Sequence, residues 1–326
     1  METNSVLAKL PAIELTMIYC SGTKEGDSYN ILTVSQGTRN LQQGIVENTQ
    51  PKLNVRKPYK RNCPELMIVL EGEVLQKIDD REYLYPAGSC CLFYPDMTHL
   101  ERMTMQSRIL FIGLTEELLT KVNQADGAAN NQSLQYAVKS LTPQTDETIK
   151  KYIEFFPAYE NDKTIKRFRE LSNLLIYTLL AQKFGSGHML LGIVCELFDF
   201  LDSKESFYST SVTSEMNTDD VIFARICHIL EATNGHISRS KLEKTLNFSG
   251  NYLNTIVQKH TGMCLFDYGM TFCLNKAATL LTTTKSSITA IAKELHFSNQ
   301  SHFYKLFREK YGMTPKEYRK EYTTPL

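Results

Sequence analysis

One residue pattern occurs twice in the last third of the chain, and it constrains the fold more strongly than any other feature. In residues 287–311, apolar side chains at spacings of three and four predict a short helix, a tight turn and a second helix that buries Phe303. Residues 238–262 repeat this plan, with Leu253 at the position of Phe303. A repeated helix pair arises by chance far less readily than a single one. The repeat therefore predicts an all-α region made of two similar helix pairs.

Both predicted pairs carry the same start and stop signals. Ser249 and Ser298 precede the second helix of each pair and are its predicted N-caps, and glycines follow each helix as terminators. Between the pairs, residues 265–283 read as one continuous helix, about 28 Å long at 1.5 Å per residue. Such a helix would act as a rigid spacer between the two pairs.

The polar faces of the two second helices combine amides, hydroxyls and cations. Amides and hydroxyls suit the edges of bases, and cations suit guanine or phosphate. An ordinary amphipathic helix with a solvated face would look the same in a single copy, but the repeat favours DNA recognition. The predicted DNA-binding residues are Asn251, Asn254, Thr255 and Gln258 in the first copy and Asn299, Gln300, Ser301, His302, Lys305 and Arg308 in the second.

The distribution of charge agrees with this prediction. The chain has 36 basic and 36 acidic residues, yet residues 217–326 contain 14 Lys and Arg against 9 Asp and Glu. The remainder is correspondingly acidic. Charge asymmetry of this kind is typical of a nucleic-acid-binding segment joined to a domain with another role.

The first part of the chain has a different rhythm. Residues 13–114 contain short, evenly spaced strand patterns, including a hairpin predicted between residues 65–70 and 73–78, and they favour a small antiparallel barrel or jelly roll. From about residue 115 the periodicity becomes helical. An antiparallel helix pair is predicted at residues 164–183 and 189–201, with an apolar face that packs either on a second copy or on the chain's own barrel.

Residues 288–319 resemble the second-unit signature of the AraC/XylS family of transcription regulators, with Gly312, Pro315 and Arg319 in its characteristic tail. The resemblance covers residues 219–322, and residues 63–99 are more weakly similar to the cupin-type sensor barrel of that family. It implies an α+β chain with a cupin-like antiparallel β-barrel and a C-terminal all-α domain containing two helix-turn-helix units. The implied domains are a sensor (1–160), a helical dimerisation segment (161–202), a linker rich in Ser and Thr (203–218) and a DNA-binding domain (219–326).

The resemblance also implies a function and a set of partners. The chain would be a cytoplasmic homodimer that binds double-stranded promoter DNA and responds to a small effector held in the barrel. RNA polymerase is a further candidate partner. No cofactor or metal ion is expected. Membrane association is not expected either, because the longest apolar stretches are shorter than the ~18–20 residues of a membrane span.

Six positions depart from the family pattern, among them Val257 in place of a phenylalanine and Cys273 in place of an arginine. Thr255 stands where an arginine is common, and Glu243 stands where a small residue is usual. Asn247 and His296 replace the turn glycines and are expected to adopt a left-handed conformation, which asparagine tolerates better. Because the first copy lacks the arginine at Thr255, we expect the second copy to supply most of the affinity for phosphates.

Two alternatives compete with this interpretation. A metal-dependent cupin enzyme would need two or three histidines and a carboxylate, but the barrel region contains only His99, with Glu101 nearby. We therefore predict no catalytic residues, and His99 is either structural or a contact to the effector. The other alternative is a module that recruits a protein partner and has little affinity for DNA.

Overall fold

A computed structural model of the chain describes residues 13–23, 26–35, 38–46, 53–54, 57–78, 81–103, 106–142, 151–158, 162–213, 215–297 and 299–322. The chain divides into two compact units, residues 1–217 and residues 218–326. No helix in the described ranges is long and apolar enough to cross a membrane.

The first unit is rich in antiparallel strands, as predicted. Its described strands are β1 (Ile13–Thr23), β2 (Gly26–Ser35), β3 (Thr38–Val46), β4 (Leu53–Asn54), β5 (Glu65–Glu71), β6 (Glu73–Ile78), β7 (Arg81–Pro86), β8 (Cys90–Phe93), β9 (His99–Met103), β10 (Arg108–Leu114), β11 (Lys151–Pro157) and β12 (Phe207–Thr213). They form an eight-stranded sheet in the order β12-β11-β8-β5-β10-β1-β2-β3 and a four-stranded sheet in the order β4-β9-β6-β7. No ladder joins the two sheets within these ranges, so the described strands do not close the predicted barrel.

The hairpin predicted around Gly72 is wrong. Strand β5 pairs with β10 and β8 in the large sheet, whereas β6 pairs with β7 and β9 in the small one. Gly72 has a φ of +66°, and a Cβ there would lie 3.0 Å from the Gln106 carbonyl oxygen, so the chain turns here from one sheet to the other. The sequence shows two strands and a turn, but the choice of partner strand depends on residues far along the chain.

Among the described residues of the first unit, the α-helices are α1 (Glu116–Val122), α2 (Gln132–Lys139), α3 (Asp162–Ala181) and α4 (Ser186–Leu201). Helices α3 and α4 contact each other, as expected for the predicted pair. Their buried residues, among them Phe168, Leu175 and Leu197, join one core cluster with Leu66 and Ile68 of β5. The main apolar face of this helix pair is therefore covered by the chain's own sheet.

The predicted linker at residues 203–218 contains a strand, β12, over residues 207–213. Strand β12 lies at the edge of the large sheet, where Tyr208 and Val212 are buried and Ser209 and Ser211 are exposed. This period of two marks a strand, but serine and threonine made it resemble a linker. Strand β11, its partner, was also missed because it lies in a region with mainly helical periodicity.

The described residues of the second unit form helices joined by short turns. Its helices are α5 (Thr218–Ala232), α6 (Arg239–Leu246), α7 (Gly250–Thr261), α8 (Leu265–Thr283), α9 (Ile288–Glu294), α10 (Gln300–Tyr311) and α11 (Pro315–Tyr322). We call α6 and α7 the first helix pair, and α9 and α10 the second helix pair. Helix α8 has the predicted bounds and contacts helices of both pairs.

The turns of the two pairs follow the sequence prediction. Asn247 has a φ of +55° and His296 a φ of +54°, so both residues adopt the left-handed conformation in place of glycine. The Ser249 hydroxyl accepts a hydrogen bond from the Tyr252 backbone N–H at 3.3 Å, which confirms it as the N-cap of α7. Gly262 and Gly312 end α7 and α10 with φ values of +73°.

Candidate nucleic-acid interface

Helix α10 presents a polar face because its apolar face is fixed in the core. Phe303 and Phe307 are completely buried, and they pack in one cluster with Cys273, Leu274 and Ala277 of α8. The opposite face exposes the predicted residues Gln300, Ser301, His302, Lys305 and Arg308. Lys305 lies 3.9 Å from Glu309, and because both side chains are well exposed this ion pair restrains the lysine little. The face therefore offers two accessible cations beside several hydrogen-bonding groups.

The N-terminus of α10 differs from the sequence prediction. The N-cap is Asn299, whose Oδ1 accepts hydrogen bonds from the backbone N–H groups of Ser301 at 2.8 Å and His302 at 3.4 Å. Ser298, the residue predicted for this role, lies outside the described residues. The carboxamide oxygen of Asn299 is thus engaged in capping, although Asn299 itself remains exposed.

Helix α7 exposes only part of its predicted contact set. Asn251, Thr255 and Gln258 lie on the exposed side, while Leu253 and Val257 are buried. The Thr255 hydroxyl donates a hydrogen bond to the Asn251 carbonyl oxygen at 3.0 Å, so it is directed back to its own helix.

Asn254 has a structural role that the sequence prediction did not foresee. It is half-buried, and its Oδ1 accepts a hydrogen bond from the Leu265 backbone N–H at 2.8 Å. This contact satisfies one of the free N–H groups at the start of α8. The placement of Asn254 therefore does not favour its predicted contact with DNA.

Two functional candidates on α6 were missed by the sequence reasoning. The Glu243 Oε1 accepts hydrogen bonds from the Gly250 backbone N–H at 2.5 Å and from the Arg239 Nε at 3.3 Å. The Arg239 Nη2 in turn donates to the Asn251 Oδ1 at 2.7 Å. Arginine and glutamate four residues apart on a helix were visible in the sequence, but their connection to α7 was not.

Several other cations of this unit are held by neighbouring groups. Lys259 forms an ion pair with Asp219 at 2.8 Å, and Tyr252 donates to the same carboxylate at 3.0 Å; together these bonds lower the pKa of Asp219. Lys310 donates to the Thr271 carbonyl oxygen at 2.8 Å. These contacts within the helical unit distinguish Lys259 and Lys310 from the more open Lys305 and Arg308 of α10.

His99 of the first unit lies in a buried cluster. Its Nε2 is 3.1 Å from the Glu65 carboxylate, its Nδ1 is 3.3 Å from the Met97 carbonyl oxygen, and its ring stacks on Phe93 at 4.4 Å. The Arg61 guanidinium pairs with the same Glu65 at 2.5 Å. This environment favours the structural alternative for His99. Over the described part of the chain, no group of three or more His, Cys, Asp or Glu side chains could hold a metal ion.

Comparison with known proteins gives a family model that matches within the second unit and several curated relatives. Residues 242–321 match the model of a helix-turn-helix domain family. The Msm operon regulatory protein of Streptococcus mutans is 28% identical over 131 residues, which are 40% of this chain and 47% of that protein. The HTH-type transcriptional regulator YtdP of Bacillus subtilis is 27% identical over 105 residues, which are 32% of this chain and 13% of that protein. The chain thus spans less than half the length of these curated relatives.

Solved structures also match part of the chain. A transcriptional regulator of Chromobacterium violaceum, described as containing an AraC-type DNA-binding domain, is 25% identical with a TM-score of 0.29, and the match covers 31% of this chain and 91% of that one. The family model and the curated relatives agree with the resemblance found in the sequence. The C-terminal unit is therefore a DNA-binding helix-turn-helix domain of the AraC type.

Proposed function

We propose that this chain is a sequence-specific transcription regulator that binds double-stranded promoter DNA through both helix pairs of its second unit. The observation that carries the proposal is the face of α10. Its cations Lys305 and Arg308 stand beside amides and hydroxyls, and the buried Phe303 and Phe307 fix the helix so that this face points outward. In helix-turn-helix proteins the second helix of each pair lies in the major groove.

The spacer helix supports a two-site reading of DNA. Helix α8 has 19 residues, which span about 28 Å at 1.5 Å per residue. This length is close to the ~34 Å that separates successive major grooves on one face of the duplex. Each pair then acts as one helix-turn-helix unit, and one subunit reads two neighbouring grooves.

The two pairs contribute unequally to this grip. Lys305 and Arg308 contact phosphates or guanine from α10, whereas α7 lacks a cation at Thr255 and presents Asn251 and Gln258. The second helix pair therefore supplies most of the affinity for the backbone, and the first pair mainly selects the sequence.

The first unit has the role of sensor in this proposal. Its two antiparallel sheets support a cupin-like architecture, and a small effector would bind between them. The effector is best identified directly, by native mass spectrometry of the purified full-length chain. An added mass that matches a small metabolite and is lost when the protein is denatured supports the sensor role. A protein that carries no added mass and binds none of the compounds added to it opposes that role.

Dimerisation through α3 and α4 remains part of the proposal, with a smaller surface than the sequence suggested. The main apolar face of the pair packs on its own sheet, but Leu174, Tyr177, Phe184 and Met189 are exposed on α3, on α4 and between them. These side chains would form the contact with a second copy. A chain that binds promoter DNA would work in the cytoplasm, with RNA polymerase as a further partner.

The direct test is selection of a binding site from random duplex DNA by the full-length protein, followed by affinity measurements across salt concentrations. We expect one enriched motif and an affinity that falls steeply between 50 and 200 mM salt, because phosphate contacts release counterions. Binding without sequence enrichment, or binding insensitive to salt, would contradict the proposal and favour a module that recruits protein.

A further inference from the structure

We propose that Arg239 and Asn251 form a single base-reading unit of the first helix pair, which takes the place of the arginine that is missing at Thr255. This inference rests on the proposed function, because it concerns how the same DNA is read. It assigns a specificity-determining role to a residue of α6, the helix that precedes the recognition helix α7.

Arg239 and Asn251 are joined by a direct hydrogen bond. The Arg239 Nη2 donates to the Asn251 Oδ1 at 2.7 Å, and its Nε donates to the Glu243 Oε1 at 3.3 Å. A guanidinium has five N–H donors, so most of them remain available after these two bonds. The Arg239 side chain is 55% exposed, and Asn251 is exposed beside it. The guanidinium is therefore oriented and accessible at the same time.

Arg239 and Asn251 together present hydrogen-bond donors to a ligand. The Asn251 oxygen accepts the bond from Arg239, and the two N–H donors of its Nδ2 group belong to an exposed side chain. The unit then offers N–H donors from both side chains, and one lone pair of the Asn251 oxygen is already engaged by Arg239. This surface complements hydrogen-bond acceptors, and in the major groove guanine presents two acceptors, O6 and N7, on one base.

The hydrogen bond between Arg239 and Asn251 lies at the N-terminal end of α7. Asn251 is the second residue of α7, and the N-terminal residues of a recognition helix are those that contact base edges. Thr255, one turn further along, is bonded to the Asn251 carbonyl oxygen at 3.0 Å. The only guanidinium that the described contacts bring to the exposed side of α7 comes from Arg239 on α6.

Glu243 positions Arg239 against the start of α7. The Glu243 carboxylate accepts a hydrogen bond from Arg239 and also one from the Gly250 backbone N–H at 2.5 Å, which adds a second polar contact between α6 and α7. A Cβ at position 250 would collide with both the Arg239 Nε and the Glu243 Oε1. Glycine at this position is thus required for the arrangement, and the three residues Arg239, Glu243 and Gly250 act together.

The carboxylate also decides between the two targets that an arginine can have on DNA. Glu243 neutralises the guanidinium and would repel a phosphate placed next to it. A neutral, donor-rich group is better suited to a base edge, where hydrogen-bond direction matters more than net charge. The geometry therefore favours base reading over a phosphate contact.

The experiment compares full-length variants on the DNA motif selected by the wild-type protein. Arg239→Ala, Asn251→Ala and the double variant are measured by fluorescence anisotropy at several salt concentrations, and each is also used to select its own motif. Lys244→Ala is the matched control, because it removes one exposed positive charge from the same helix. Arg239→Lys keeps the charge but not the guanidinium, and the circular dichroism spectrum of each variant is compared with that of the wild type to show that it folds.

We expect Arg239→Ala to lose about tenfold in affinity for the selected motif and to relax the preference at one or two adjacent base pairs. Asn251→Ala should relax the same positions, and the double variant should lose little more than either single variant, because the two residues act as a unit. Arg239→Lys should also lose selectivity, and Lys244→Ala should bind within about twofold of the wild type.

Unchanged base preference in Arg239→Ala would overturn the inference, as would equal losses from Arg239→Ala and Lys244→Ala. A uniform loss of affinity with a salt slope reduced by about one would identify a phosphate contact instead and would also overturn it. These outcomes leave the proposed function intact, because the wild-type protein still selects a motif. A wild-type protein that selects no motif would instead contradict the proposed function, and this inference with it.

Discussion

The two helix pairs of the second unit share one backbone plan but are stabilised by different means. The second pair is built on aromatic packing, in which Phe307 lies 5.7 Å from Phe303 and 5.4 Å from Tyr318 between ring centroids. The first pair has Leu253 and Val257 at the matching positions and adds polar contacts at the N-terminus of α7. Repeated units can therefore keep their geometry while the interactions that hold it change.

This difference extends to the exposed faces. In the second pair, aromatic packing leaves Lys305 and Arg308 available for a partner. In the first pair, Asn254 and Thr255 are bonded within the unit, and the exposed guanidinium of Arg239 comes from the preceding helix. Four measurements can sharpen or break this comparison, from the largest expected effect to the smallest.

Truncation of the matching core residues should give the largest difference. We expect Phe307→Ala to lower the free energy of unfolding by about 3–5 kcal/mol, because a completely buried ring leaves a large cavity. Val257→Ala, at the matching position, should cost only about 1–2 kcal/mol, because it removes two methyl groups. Urea denaturation followed by circular dichroism measures both. Equal losses would show that the two pairs do not differ in how their packing stabilises them.

Removal of the exposed cations should weaken DNA binding unequally. Lys305→Ala and Arg308→Ala should each reduce affinity about tenfold, or ~1.4 kcal/mol, and lower the salt slope by about one. Thr255→Ala should change affinity less than twofold, because its hydroxyl is bonded to its own helix. Anisotropy titrations over a range of salt concentrations provide the comparison. A larger loss from Thr255→Ala than from Lys305→Ala would reverse the proposed division of labour.

Two neighbouring polar residues of α7 should separate stability from recognition. Asn254→Ala should cost about 1 kcal/mol of stability, because the Leu265 N–H at the start of α8 loses its acceptor. Gln258→Ala should leave stability within about 0.5 kcal/mol, because this side chain is exposed on the same helix. Thermal unfolding of the two variants measures their stabilities relative to the wild type. If Gln258→Ala proved the more destabilising of the two, the structural role of Asn254 would be refuted.

A titratable contact near the second pair should give the smallest effect. Burial, with a further contribution from His296, lowers the pKa of His236, whose Nε2 lies 3.1 Å from the Cys273 Sγ. Since the folded state resists protonation, the stabilising contribution is present above the ordinary histidine pKa of about 6.5 and is lost as the pH falls through the lowered value.

The corresponding variant is His236→Gln, which cannot titrate in this range. Its melting temperature should fall less than that of the wild type when the pH is lowered from 8 to 5.5. His296→Asn serves as a companion variant, because asparagine tolerates the left-handed backbone of position 296 and removes the imidazole that helps to lower the pKa of His236. Identical pH profiles for His236→Gln and the wild type would contradict the proposed linkage.

Much of the second unit could be predicted because its determinants are local. The bounds of α8, the N-cap at Ser249 and the left-handed turns at Asn247 and His296 each depend on residues within a few positions of one another. Helical periodicity and capping act over the same short range. Local agreement of this kind, repeated twice, was also sufficient to indicate the domain family.

The sequence by itself determined the two helix pairs, the spacer between them and the exposed cations of α10, because these follow from helical spacing alone. Only the tertiary structure decided that β5 pairs with β10 and not with β6, that residues 207–213 form the edge strand of a sheet, and that Arg239 bonds to Asn251. Each of these contacts joins residues that are distant in the chain or on different elements. Such pairings depend on which surfaces can be buried together, and a pattern within one segment does not contain that information.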